Sequence, residues 1–403
     1  MTDRFIALRS RDFRLLLAGQ AISLTGSRMN DVAVVWQLYL LTHSPLALGM
    51  LGFFRVVPVI VFALGGGVVA DAVDRRLLMI ISQCALATAS VGLAWATWTS
   101  GVSEWTIYGL AAFAGVGFAF DLPARQALVP QLVSRDELPN ALSLYTTVFQ
   151  VATIAGPALG GAVLASFGVL PIYLFDVVSF GAVILALLSM RHRAPGRGLS
   201  QVSAHAALEG LRFIRKSKLI WSTMLLDFVA TFFGGSMLLL PIFADQLFRV
   251  GPRGLGLLYA AQPVGAVIAA AILSARPPIR RQGRTVLVAV AAYGVAIAVF
   301  GAAPWFWLGF AALAASGAAD TVSMVVRQTL RQLLTPDELR GRMTSVNMIF
   351  FTGGPQLGEV EAGAVAKAFT PRISVWSGGV VCALAVALVA ALVPSLRRYR
   401  SGD

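Results

Sequence analysis

Charge is scarce in this 403-residue chain: Asp, Glu, Lys and Arg make up 13% of it, against about 25% in soluble globular domains. The deficit runs the whole length, alongside 57% hydrophobic residues and a mean hydropathy of +0.77. A soluble secreted or cytosolic enzyme is excluded, and so is a disordered chain. Cysteine is nearly absent: Cys84 and Cys382 both lie in apolar runs, with no disulfide framework and no metal-ligand spacing. Histidine occurs only at His43, His192 and His205, all in expected loops, with no H-E-x-x-H pair and no serine or cysteine dyad. There is no G-x-x-x-x-G-K-[ST] phosphate loop and no polar region large enough for an ATPase. No enzymatic chemistry, no metal and no organic cofactor is expected. The composition is that of an all-α polytopic membrane protein.

Apolar runs of about 20 residues are read as membrane-spanning helices. Twelve are predicted, at 14–41, 46–70, 77–99, 105–124, 139–167, 170–190, 219–248, 254–275, 285–303, 305–326, 343–367 and 373–393. Residues 1–13 are polar and basic and the first apolar run is too long for a cleavable signal peptide, so none is expected. The net charge of +13 invites a nucleic-acid partner, but its distribution argues against one. With the N-terminus cytoplasmic, 26 Lys and Arg fall in cytoplasmic segments and 4 outside. That is the positive-inside bias of a multi-pass protein with both termini cytoplasmic, its basic loops facing anionic lipid headgroups.

The longest polar segment, 191–218, carries seven Lys or Arg against one acid and divides the chain into 1–190 and 219–403. Ala207, Leu208, Leu211 and Ile214 follow helical spacing there, read either as a short amphipathic helix on the membrane surface or as a solvated linker. Three patterns recur across the divide. Pro45–Gly49–Leu51–Arg55 returns as Pro252–Gly256–Leu258–Gln262, at an offset of 207. Arg125-Gln126, Gln131-Leu132 and Asp136-Glu137-Leu138 return as Arg327-Gln328, Gln332-Leu333 and Asp337-Glu338-Leu339, at offsets of 202 and 201. Gly156-Pro157-x-x-Gly160 returns as Gly354-Pro355-x-x-Gly358, at 198. Their common order implies two parallel six-helix repeats.

Gly67-Val-Val-Ala-Asp71-Ala-Val-Asp74-Arg75-Arg76, between the second and third helices, resembles the G-x-x-x-D-R-x-G-R-R signature of the major facilitator superfamily, departing from it at Ala72 and Asp74. The segment Pro123-Ala-Arg125-Gln126 through Asn140-Ala141 is similar to the branch of bacterial siderophore exporters of the enterobactin-exporter type and macrolide-efflux relatives, as is Ser44-Pro45-Leu46-Ala47-Leu48-Gly49. Gly156-Pro157-Ala-Leu-Gly160 resembles the antiporter motif of helix 5, read either as a direction-setting seal or as plain close packing. The resemblance implies the major facilitator fold, twelve transmembrane helices as two six-helix repeats. It further implies a secondary transporter in the bacterial cytoplasmic (inner) membrane, with a gate at Gly67, Asp71, Arg75, Arg76, Arg125 and Gln126.

Ionisable groups inside spans are costly and usually face a cavity or a partner. Arg28, Asp31, Arg55, Asp227, Glu359 and Glu361 are therefore the coupling or cavity candidates, each read either as functional or as a satisfied structural group. Arg28 and Asp31 share one helix face; Glu359 and Glu361 point to opposite sides. Asp176, two turns into helix 6, is expected within reach of water, and Asp121 and Asp320 as structural groups near helix ends. Asp31, flanked by Arg28 and Arg55, is the first choice for the acid that exchanges a proton, because burial favours the neutral acid and a neighbouring arginine favours the anion. Asp227 is the second. Phe228, Phe232 and Phe233, with Trp36, offer an apolar wall for a substrate or ordinary packing. The expected function is export of a small amphipathic compound, siderophore or drug-like, by proton antiport, with the proton as the coupling ion. A small-molecule substrate and membrane lipids are the partners, and a monomer is expected. An uptake permease or lysophospholipid flippase of the same fold is the alternative; a non-transporting membrane scaffold is the second.

Overall fold

The structure is a computed structural model that describes residues 5–191, 212, 217–277, 279–335 and 340–399, with 63–72 and 340–352 described by their backbone alone. The linker reading for 191–218 falls almost wholly outside the described residues. A helix lies over each predicted span: α1 Arg11–Thr42, α2 Pro45–Ala72, α3 Arg75–Trp98, α4 Glu104–Leu128, α5 Leu138–Phe167 and α6 Leu170–Ser189. These are followed by α7 Lys218–Phe233, α8 Gly251–Ser274, α9 Gln282–Ala302, α10 Phe306–Leu334, α11 Arg340–Ala368 and α12 Pro371–Leu392. Among the described residues ten helical stretches are long and apolar enough to cross a membrane, the seventh span being counted over Lys218–Leu247. α1 is not one of them: Gln20, Ser23, Arg28, Asn30 and Asp31 lower its hydropathy.

Helix ends follow local chemistry. The Ser10 side chain accepts from the Phe13 amide at 3.3 Å to start α1, and His43 ends it in the left-handed conformation, φ 48°. Ser103, Ser217 and Thr370 cap α4, α7 and α12 in the same way. Asp74 caps α3, accepting from Arg76 N at 2.9 Å and Leu77 N at 3.4 Å. Its departure from the family pattern therefore supplies a helix start.

The helices group into two units. In the first, Met1–His43 with Phe54–Val202, α1 packs on α5 and α6, and α3 on α4 and α6. Its apolar core includes Phe13, Leu16, Leu78, Met79, Leu128, Val183 and Leu187. In the second, Ser44–Phe53 with Ser203–Asp403, α10 packs on α8 and α9, α9 on α12, and α7 on α11 and α12. Leu226, Val286, Leu287, Val290 and Val386 sit in its core.

Lipid tails are as apolar as leucine, so close backbone approach must hold such helices together. The two G-P-x-x-G motifs supply it in matching places. A Cβ on Gly156 of α5 would lie 2.5 Å from Arg28 Cβ and 3.0 Å from Thr25 O of α1. A Cβ on Gly358 of α11 would lie 2.1 Å from Phe232 O, and one on Gly354 2.7 Å from Thr231 Oγ1, both of α7. Each motif thus seats the fifth helix of its half on the first.

The seventh predicted span, 219–248, is not one continuous helix. α7 stops at Phe233, and after Gly234–Ser236 the chain resumes as a tight turn at Met237–Leu239, a helical turn at Leu240–Ile242 and a wide turn at Phe243–Leu247. Two adjacent glycines weaken the helix there, and side chains from other helices occupy the freed backbone groups. Tyr259 donates to Met237 O at 3.0 Å and Tyr293 to Gly234 O at 3.4 Å, while the Glu359 carboxylate accepts from Met237 N and Leu238 N, both at 3.0 Å.

Candidate functional site

Arg28, Asp31 and Arg55 come together in the first unit. Arg28 Nη1 lies 3.2 Å from Asp31 Oδ2, and Arg55 Nη2 lies 3.3 Å from Asp31 Oδ1. Asp31 is thus held between two cations, and the triad keeps one net positive charge. Its side chains are 36% (Arg28), 41% (Asp31) and 29% (Arg55) exposed, against 11% or less for the paired Asp121, Arg125, Asp227 and Arg327. Exposed charge in the middle of a spanning helix requires water or a polar ligand. Arg28 also lies over the Phe149 ring of α5, 5.6 Å from its centroid, so an apolar surface borders the cations. The Gly156 contact fixes this position, because it brings α5 directly against Arg28.

Asp176 occupies a second cluster in the same unit, and it does not reach water: it is fully buried. Its Oδ2 accepts from Asn30 Nδ2 and Ser90 Oγ, each at 2.7 Å, and its Oδ1 faces Ser27 Oγ at 3.3 Å. Sequence reading gave Asp176 no partners, because Ser27, Asn30 and Ser90 lie on α1 and α3, far away in the chain.

Asp121, Asp227, Asp320 and Glu359 have structural partners. Asp121, also fully buried, is bonded by Arg125 one turn on and accepts from Gln83 Nε2 at 2.7 Å; Arg125 also donates to Tyr145 Oη at 3.1 Å. In the second unit Arg327, at the repeat position of Arg125, instead reaches across to Asp227 of α7 at 2.8 Å and stands 3.7 Å from Asp320. The buried Asp227 is therefore half of an ion pair. Glu359 is buried and caps the resumed part of the α7 span, whereas Glu361 is half-buried, as two acids on opposite helix sides should be.

Of the gate residues, Gly67 and Asp71 lie in the helical backbone of α2 with their surroundings outside the described residues. Arg75 is buried. Arg76 donates to Met190 O and Leu188 O, both at 3.0 Å, closing the last turn of α6 with a cation where the helix dipole favours one. Gln126 is exposed on α4. Phe228 and Phe232 stack at 5.5 Å and Phe233 meets Phe232 edge-on at 5.0 Å, all half-buried in the second unit. Trp36 is buried beside Tyr39 within the first unit, so it belongs to that unit's packing.

Helices only among the described residues, ten of them long and apolar enough to cross a membrane, with ionisable groups held inside them, define a multi-pass α-helical membrane protein. The chain belongs to the transmembrane secretion effector family, whose model matches residues 2–403. It is 27% identical to the enterobactin exporter EntS of Shigella boydii serotype 18, over 96% of this chain and 93% of that protein. Its fold matches a POT family transporter solved with 5-aminolevulinic acid, TM-score 0.78 at 9% identity, over 96% of this chain and 97% of that one. It also matches a bacterial homologue of the iron transporter ferroportin in an inward-facing state, TM-score 0.69 at 16% identity, over 96% of this chain and 98% of that one.

Proposed function

We propose that this protein exports a small amphipathic compound, siderophore-like or drug-like, from a bacterial cytoplasm by proton antiport. The observation that carries the reading is the Arg28–Asp31–Arg55 triad beside Phe149: a polar, charged group set in an apolar wall, exposed on spanning helices. Such a site suits a compound with a hydrogen-bonding head and a ring or alkyl body. Full-length similarity to an enterobactin exporter supports export and a siderophore-like substrate. The 26-to-4 division of basic residues supports a cytoplasmic-membrane protein with both termini inside, surrounded by lipid and independent of nucleic acid. The Gly67–Arg76 and Arg125–Gln126 segments then form its cytoplasmic gate, and the helix 5 motif Gly156-Pro157-x-x-Gly160 seats the triad.

The test is accumulation in inside-out vesicles bearing an imposed proton gradient, run over a panel of catecholate and hydroxamate siderophores and macrolides. At least one compound accumulates. Arg28→Gln and Arg55→Gln each weaken its uptake by about tenfold or more, the effect of losing one hydrogen bond to a charged group. Accumulation of none, or uptake indifferent to both substitutions, contradicts the reading.

A further inference from the structure

Four acids are buried among the described residues: Asp121, Asp176, Asp227 and Glu359. Asp121 has Arg125, Asp227 has Arg327, and Glu359 takes two backbone amides of a helix start. Asp176 has neither. Its partners are the neutral side chains of Ser27, Asn30, Ser90 and Ser179, and among the described residues no Lys, Arg or His side chain lies within ion-pair distance. An anion buried this way inside a membrane is costly, and neutralisation by a proton removes the cost.

The two oxygens of Asp176 are treated differently. Oδ2 holds two short bonds, from Asn30 and Ser90 at 2.7 Å. Among the described residues Oδ1 has only Ser27 at 3.3 Å and Ser179 at 3.5 Å. The Ser179 hydroxyl already donates to the Asp176 carbonyl at 2.7 Å, leaving its lone pairs free to accept. Oδ1 can therefore carry a proton while Oδ2 keeps its donors. A metal ion fits poorly: hard cations gather about six or more oxygens, whereas Gly26 of α1 closes the Oδ1 side so tightly that a Cβ there would lie 2.5 Å from Ser179 Oγ and 3.2 Å from Asp176 Oδ1.

We infer that Asp176, with Ser27, Asn30, Ser90 and Ser179, is the exchangeable proton site of this transporter, separate from the Arg-clamped Asp31. The inference rests on the proton-coupled reading above. Ser27 and Asn30 share a turn of α1 with Arg28 and Asp31, so one helix links the two clusters. When a substrate engaging Arg28 moves that turn toward α6, the donors tighten on the carboxylate and the proton leaves by way of the Ser27 hydroxyl, whose turn of α1 also carries the partly exposed Arg28 and Asp31. When the turn relaxes, a proton from water returns. The charged and titratable groups on the elements packed against α6 are Arg11, Asp12, Arg14, Arg28, Asp31 and Tyr39 on α1, Arg75, Arg76 and Cys84 on α3 and Tyr145 on α5; Tyr173 lies on α6 itself, and Arg55 of α2 joins them through Asp31.

Infrared difference spectroscopy of the purified protein, wild type minus Asp176→Asn, tests this without any substrate. Asn keeps the size of the side chain and its acceptor oxygen, so the variant should fold. The expected spectrum contains the carbonyl band of a neutral carboxylic acid at neutral pH, absent from Asp176→Asn, retained in Asp31→Asn, and lost reversibly as the pH is raised. In Ser90→Ala, which removes one short donor to the anion, the band should persist to about tenfold lower proton concentration; this arm decides the matter if Asp176→Asn does not fold. Absence of the band, a band indifferent to pH, or its depletion by sodium in place of potassium overturns the assignment. Because no transport is measured, a failure here is distinct from a failure of the export reading.

Discussion

Replacing Glu359 by alanine would strip the acceptor from two backbone amides at the restart of the seventh span, Met237 N and Leu238 N, each 3.0 Å from the carboxylate. Leu238 is buried, the flanking segment is apolar, and water has little access to substitute. A buried amide left without a partner costs about 1–3 kcal/mol; the buried Leu238 amide bears that cost in full and the half-buried Met237 amide in part, so the predicted loss is about 2–4 kcal/mol. An opposing consideration is that interhelical hydrogen bonds in membrane proteins average about 0.6 kcal/mol, because the unfolded state in the membrane finds other partners. The geometry decides for the larger figure: past Gly234 and Gly235 the chain has left the α-helical path, so these amides lack their usual carbonyls four residues back. Glu359→Gln keeps one acceptor oxygen and should recover about half of the loss. The assay is reversible unfolding in mixed detergent micelles, with hydrogen exchange read at Met237 and Leu238. A destabilisation by Glu359→Ala of less than about 1 kcal/mol, with both amides still protected, would show that the break does not depend on this carboxylate.

Adding a methyl group at Gly156 or Gly358 should separate the fifth helix of each half from its first. Gly156→Ala and Gly358→Ala are each expected to lower stability by about 1–3 kcal/mol, the usual cost of overpacking, and thermal unfolding of the purified variants checks it. Asp227→Ala leaves Arg327 buried against an empty place and should cost about 3–5 kcal/mol, whereas Asp227→Leu combined with Arg327→Met should restore most of it; unfolding of the single and double variants measures the difference.

The helix positions were legible in the sequence because apolar runs of spanning length and the bias of basic residues are one-dimensional signals. The placement of Arg28 beside Asp31 was legible too, since three residues along a helix return to the same face. Arg55 had to come from another helix, and its intramembrane charge was the clue. The break after Phe233 was not legible: Gly234 and Gly235 lie in an apolar run, and the carboxylate that completes the break is over a hundred residues away at Glu359. Asp176 shows the same limit. Its depth along α6 was readable, but its rotation toward α1 and α3 was set by Ser27, Asn30 and Ser90, between 86 and 149 residues away. Asp74, a departure from the loop signature, became intelligible only as the cap of α3.

The central claim is that substrate leaves in exchange for protons. Proteoliposomes carrying the purified protein and a trapped pH-sensitive dye measure this directly, with each compound of the siderophore and macrolide panel added in turn to the outside. The account predicts that a transported compound entering the lumen drives protons out, reported as alkalinisation of the lumen that is absent in protein-free vesicles. Transport of a compound with no change in lumenal pH, or with protons moving in the same direction as the compound, would contradict it.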